Sequence, residues 1–459
     1  MDSSANQITW KEQKEAFVTG HEGTTSWEVL LVCLSAPMGL ACYRHFVRLI
    51  QPTTKTSQIL LEALLVWFPM VLCQTNFLYP WGVSLLVLEG VLAALSSVYY
   101  SEPDKRQNSI LKSTKPTKLD FLTAYRSTIL YLTFIAILAV DFHVFPRRFA
   151  KTEVKGYGLM DVGAASFCLS AGLVSKKARV GHGNHKAANS NLRQLLHTLP
   201  LVVLGLLRIW TNKELEYQEH VSEYGVHWNF FFTMGVLAIV PPLVPFGRAT
   251  WILPASILLL YQSALSLWGM QEYIENAPRT CTEGHDDTLC LPFFAANREG
   301  VLGCFGYLSL YFMGEYAGAK FVWKGEGRQS LWKLSVSLWT LALGSSNFLP
   351  VSRRSTNAAF CIWAAAHNVL ILTTFQQTIK VGGQNSIPIV FETVNRHGLV
   401  MFLVANLLTG LVNLTIPTLT VSDGPALMIV FGYICLVGIV ALLFDALLMQ
   451  LLLSKKKVN

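Results

Sequence analysis

The sequence predicts an all-α protein, a polytopic membrane helical bundle, and three observations carry that prediction. The 459 residues are 52% hydrophobic and only 14% charged, where soluble domains carry about a quarter charged residues. Apolar runs near the ~20 residues needed to cross hydrocarbon recur along almost the whole chain. The connections between them are short, polar and basic. A net charge of +8 therefore reads as a topology and lipid-headgroup signal, and nucleic acid is not an expected partner.

Taken in order, residues 1–26 are a polar segment with Lys11, Lys14 and the turn-rich TGHEGTT, and they contain no cleavable apolar leader. Apolar runs follow at 27–49, 58–75, 81–100, 121–140, 159–175, 194–210, 228–247, 250–269, 301–318, 331–349, 358–375, 398–418 and 426–453. Each is read as a helix, so the expectation is about 13 spans in a single bundle over 27–453, then a tail at 454–459. The run at 159–175 is short and glycine-rich, and the pair around Arg248 shares a very tight turn. No internal repeat or paired broken helices point to an inverted-repeat transporter.

An odd number of spans puts the termini on opposite sides. Segments 51–57, 101–120, 176–193, 248, 319–330, 376–397 and the tail hold twenty Lys and Arg; the alternate set holds eleven. Positive loops mark the cytosol, so the N-terminus is expected in the lumen and the C-terminus in the cytosol. The ending Lys456-Lys457-Val458-Asn459 looks like a di-lysine retrieval signal of endoplasmic reticulum proteins, read by a trafficking coat. A plain basic anchor after the last span is the alternative.

Most of the nine cysteines lie in apolar runs, where a thiol behaves as a small hydrophobe. Cys281 and Cys290 share one polar loop, and are either bridged or free. No Cys/His spacing suggests zinc, so neither metal nor cofactor is expected. Phosphate-loop, GxSxG and HExxH patterns are absent, as is the His-x4-Asp motif of many glycerolipid acyltransferases.

Chemistry is placed at Asp141–Gly158, DFHVFPRRFAKTEVKGYG. Asp141 stands where an apolar run gives out, and Pro146 stops a helix within a turn and a half. His143, Phe145, Arg147, Arg148, Lys151, Glu153 and Lys155 follow. Ionisable groups beside hydrocarbon are costly unless paired or working; the plainer reading is a charged turn whose arginines bind lipid phosphate. The stretch is assigned to the lumen against the charge rule, and an anionic substrate would account for that. Two further segments on that side are unusually polar. One holds Glu219, His220, Glu223, Tyr224, His227, Trp228 and Asn229. The other opens with Asn297 and Arg298. An interfacial aromatic belt is the alternative for the histidines.

These residues carry a resemblance. The block AILAVDFHVFPRRFAKTEVKGYGLMDVG (136–163) resembles the signature of the PIG-W family, the inositol acyltransferases of glycosylphosphatidylinositol (GPI) anchor synthesis. KEAFVTGHEGTT (14–25), LEYQEHVSEYGVHWNFFFT (215–233), ANREG (296–300), SRRSTNAAFCIW (352–363) and NLLTGLVNL (406–414) resemble it too. The blocks run in order along the whole chain, and only connecting loops such as 376–397 look short. The resemblance implies transfer of a fatty acyl chain, typically palmitoyl, from acyl-CoA as co-substrate to the inositol 2-hydroxyl of glucosaminyl-phosphatidylinositol. It also implies location in the endoplasmic reticulum membrane.

Such a reaction needs a base for a secondary hydroxyl and positive charge for the thioester oxyanion. Asp141 is the candidate base and Lys151 its catalytic partner, with His220 as the competing base, oriented by Glu219 or Glu223. Arg147 and Arg148 suit phosphate, since guanidinium pairs bidentately with phosphoryl oxygens. His143, Phe145, Tyr224, His227, Trp228, Asn229, Asn297 and Arg298 complete the expected substrate contacts. A transporter or scramblase of an anionic lipid or sugar phosphate is the rival class.

Overall fold

A computed structural model describes residues 10–78, 90–91, 119–180, 191–214, 221–244, 250–279, 291–323, 328–381 and 387–458. Among these the regular structure is helical, and the β contact is an isolated bridge between Thr24 and Tyr157. The chain is thus an all-α polytopic membrane protein. Each apolar run coincides with a helix except 81–100, of which only 90–91 are described.

Among the described residues six helices are long and apolar enough to cross a membrane: Ser26–Ile50, Lys55–Cys73, Asp120–Ala139, Ala358–Ile379, Gly398–Thr415 and Asp423–Ser454. A seventh results if Ile252–Leu267 and Met270–Asn276, bent by 70°, form one span. The bend falls at Gly269, whose φ of +67° is a left-handed conformation that glycine adopts without steric cost. About 13 spans are therefore not reached among the described residues on length and composition. The physical reason is visible in Leu159–Leu173 and Phe230–Leu243, of 15 and 14 residues. At 1.5 Å per residue they extend roughly 21–23 Å, short of a ~30 Å hydrocarbon core.

The chain divides into two compact units: Met1–Thr24 with Ala150–Val369, and Thr25–Phe149 with Leu370–Asn459. In the first, Arg298–Ala317 packs along Leu159–Leu173. Gly172 lies against the Tyr311 backbone and Gly314 against the Leu169 backbone, so a Cβ at either would collide. Small residues set this spacing, as membrane helices without a hydrophobic driving force require.

In the second unit Glu62 is fully buried just before the π turn Ala63–Trp67. Its carboxylate accepts from the amides of Val390 and Phe391 at 3.0 and 2.9 Å, and from Trp67 Nε1 at 3.3 Å. The two amides open the helix Ile389–Arg396, so a buried carboxyl group takes up donors that a helix start leaves without intrahelical partners.

Candidate functional site

The unit boundary at Phe149–Ala150 falls inside the stretch Asp141–Gly158, so the stretch is described in two halves.

In the first unit the loop Ala150–Gly158 is pinned along its backbone. Thr24 N donates to Tyr157 O at 2.8 Å, Glu153 N to His21 O at 3.0 Å, and Gly156 N to Val351 O at 2.8 Å. Ser352 Oγ donates to Val154 O at 2.7 Å. Gly23 has φ +85°, and a Cβ there would lie 2.6 Å from Tyr157 O. That accounts for Gly23 of the N-terminal GHEGTT block.

On this platform lies a four-charge network. Lys151 Nζ and Arg353 Nη2 both donate to Glu223, one to each carboxylate oxygen. Arg353 Nη2 also donates to Tyr224 Oη at 3.0 Å, its guanidinium sits over the Tyr224 ring, and Nη1 lies 3.6 Å from Asp161 Oδ1. Asp161 Oδ2 accepts from the Thr152 amide at 3.1 Å and hydroxyl at 2.8 Å. Two cations thus meet two carboxylates. Arg353 and Asp161 are buried, whereas Lys151 keeps 31% of its side-chain surface. Burial alone would raise the Glu223 pKa, but the Arg353 and Lys151 charges outweigh it and hold the carboxyl well below its usual range.

The segments around Tyr224 and Asn297 do come together. Val226 N donates to Ala296 O at 3.0 Å, and Asn297 Oδ1 accepts from His227 N at 2.6 Å. Asn297 Nδ2 donates to Phe293 O at 2.8 Å. Gly300 lies against the Trp228 ring, whose Nε1 donates to Thr233 Oγ1 at 3.0 Å. Asn229 caps the helix Phe230–Leu243 through its Oδ1 to Phe231 N at 3.1 Å, and donates to Gly205 O. Arg298 is buried and donates to the carbonyls of Ile274, Pro278 and Ala295. Asn229, Asn297 and Arg298 therefore each bond backbone groups of neighbouring segments.

In the second unit Asp141 follows the helix Asp120–Ala139 and is 7% exposed, its Oδ2 accepting from Asn413 Nδ2 at 2.7 Å. Arg147 turns back on the helix end, donating to Val140 O at 2.8 Å, Phe142 O at 3.0 Å and Phe145 O at 2.9 Å. These include carbonyls that a helix C-terminus leaves without intrahelical partners. Burial pushes the Arg147 pKa down to about 10, against the pull of Asp141. Arg148 pairs with Glu28 at 2.8 Å and stacks on Phe149. His143 offers its carbonyl to Asn76 Nδ2 at 3.1 Å, and Phe145 is buried. Glu219, His220, Cys281 and Cys290 lie outside the described residues.

The GWT1 family model matches residues 10–444. The chain is 34% identical to the GPI-anchored wall transfer protein 1 of Aspergillus oryzae, over 97% of this chain and 98% of that protein. It is 31% identical to the protein of that name from Saccharomyces cerevisiae, over 94% and 97%, and 34% identical to that from Kluyveromyces lactis, over 96% and 98%.

The chain belongs to the GWT1 family.

The resemblance read from the six sequence blocks is thereby borne out. Within this GWT1 protein three of those blocks meet at the charge network: Lys151, Thr152 and Asp161 from one, Glu223 and Tyr224 from another, Arg353 from a third. The sequence reading missed Arg353 and Asp161 and treated Glu223 only as support for His220. The available signal was an arginine pair after Pro350 and a carboxylate in the first turn of an apolar helix.

Proposed function

We propose that this protein acts in GPI-anchor biosynthesis in the endoplasmic reticulum membrane, N-terminus in the lumen and C-terminus in the cytosol. In this reading it moves a fatty acyl chain, typically palmitoyl, from acyl-CoA to the inositol 2-hydroxyl of glucosaminyl-phosphatidylinositol. The observation that carries the reading is the near full-length match to proteins named for GPI-anchored wall transfer. The inositol oxygen would form a C–O bond to the acyl carbonyl carbon as the C–S bond breaks. The hydroxyl proton passes through the base to the departing CoA thiolate.

Asp141 is our candidate for the base, a buried carboxylate that accepts from the Asn413 side-chain amide. Lys151 is the candidate for charge stabilisation, its ammonium partly exposed and oriented by Glu223. Each is judged by its own variant. The deciding experiment gives purified protein labelled palmitoyl-CoA and glucosaminyl-phosphatidylinositol. Acyl-inositol product with stoichiometric free CoA is expected. Movement of the lipid between leaflets without product would establish the transporter reading instead.

A further inference from the structure

The helix Ala358–Val381 includes the most buried of the six candidate spans. Trp363 and His367 lie on it four residues apart, so they share a face one turn from each other. Only 1% of Trp363 and 2% of His367 is exposed. Yet Trp363 Nε1 and His367 Nδ1 find no hydrogen-bond partner among the described residues. Their rings meet edge to face at 6.1 Å, and Trp363 also packs against Phe360 and Tyr157. Tyr157 is partly exposed, contacts Trp363 edge-on at 4.9 Å, and sits in the loop that carries Lys151. A path of rings therefore leads from the Lys151 loop to two unpaired polar atoms in an apolar interior.

Chemistry narrows what would meet them. An indole nitrogen only donates, so its partner must be an acceptor, and a neutral imidazole can donate from Nδ1 in one tautomer. Among the described residues their ring neighbours are aromatic and no cation stacks on them, so a phosphate is disfavoured. What fits is a neutral oxygen carried within hydrocarbon. Unpaired donors in such surroundings are costly and call for an explanation.

We propose that Trp363 and His367 form a recognition point for the carbonyl oxygen of a long-chain acyl ester or thioester. This rests on the acyl-transfer reading, which supplies two such groups: the acyl-CoA thioester and the ester carbonyls of the phosphatidyl acceptor. The two residues are specificity determinants here, holding the carbonyl rather than reacting with it.

The test uses full-length protein in nanodiscs and two matched pairs of probes. Palmitoyl-CoA is compared with its S-hexadecyl thioether, and diacyl phosphatidylinositol with the dialkyl ether. Wild type is expected to prefer the carbonyl-bearing member of one pair by roughly tenfold, the worth of a hydrogen bond or two in a dry site. The pair that shows the preference identifies the source. Trp363→Phe and His367→Phe should each abolish it. Both substitutions also change buried volume, so a modest fall in ligand-free Tm accompanies either outcome and does not decide between them. The proposal is overturned if wild type shows no preference in either pair. It is equally overturned if the variants keep the preference, since the donors would then not be holding the carbonyl. Preference without any acyl-inositol product would sink the acyltransferase reading alone; product without preference would sink this inference alone.

Discussion

The two halves of Asp141–Gly158 carry similar residues and use them differently. In the half from Ala150 onward, cations meet carboxylates: Lys151 and Arg353 on Glu223, Arg353 on Asp161. In the half before it Arg148 also meets a carboxylate, Glu28, but Arg147 gives its donors to backbone carbonyls at a helix end and Asp141 hydrogen-bonds the amide of Asn413. Similar composition therefore conceals distinct jobs. A side chain satisfied by carbonyls is a fold clamp, and its removal leaves buried acceptors unpaired. A side chain held by an opposite charge keeps a defined ionisation state and a fixed position, which a reaction can use.

The largest expected effect comes from Asp141→Asn. The amide keeps an acceptor oxygen for Asn413 Nδ2, so Tm should change little, while turnover falls by a factor on the order of 10²–10⁴, as for a lost general base. Near-normal turnover, with His220→Ala inactive, would transfer the role of base to the histidine. Lys151→Ala follows, with a loss of about 10² or more if the ammonium stabilises developing charge. Lys151→Arg should rescue poorly, because a planar fork does not place its donors where a compact ammonium does.

Arg147→Ala should separate the halves most clearly. The sequence reading makes Arg147 a phosphate ligand and expects a raised KM. Its place on the helix-end carbonyls predicts instead a stability loss on the order of 2–3 kcal/mol, since hydrogen bonds to charged donors are worth more than neutral ones. Thermal unfolding beside steady-state kinetics checks this; unchanged Tm with raised KM would restore the phosphate reading.

The smallest expected effect is in pH. The Glu223 carboxyl is held below its ordinary 4.5 by its two cations, so its ionised form is favoured by folding. The stability it contributes is complete above that value and declines as pH drops below it. The Tm gap between wild type and Glu223→Gln should be flat from pH 8 to about 5 and narrow in more acid solution. A gap that widens there would break the assignment.

Much of the fold was legible because a membrane span is a local signal: twenty apolar residues announce themselves without reference to the rest of the chain. The bend at Gly269 was legible in kind, as glycine permits it, but the run 250–269 hid that the helix resumes at Met270. The site was only half legible. Lys151 stands out as an ionisable group beside hydrocarbon, but Arg353 is 130 residues from Glu223, and Asn413 is 272 from Asp141. No local pattern announces such pairings. Asn297 and Arg298 show the other side of this: polar residues between spans suggest ligand contacts, and here they also serve backbone carbonyls and amides near helix ends.

The division of the chain has a consequence for its biogenesis. The bridge from Thr24 to Tyr157 joins the earliest described segment to one made more than a hundred residues later. The unit containing both is completed only when synthesis reaches Val369, and the other only with residues from Leu370 onward. Neither can close before Val369 has been made. The N-terminal segment must therefore wait, with Gly23 and its neighbours unsatisfied, for its own docking site to be translated. A nascent chain stalled near residue 140 should leave that segment open to protease, and one stalled well past 369 should protect it.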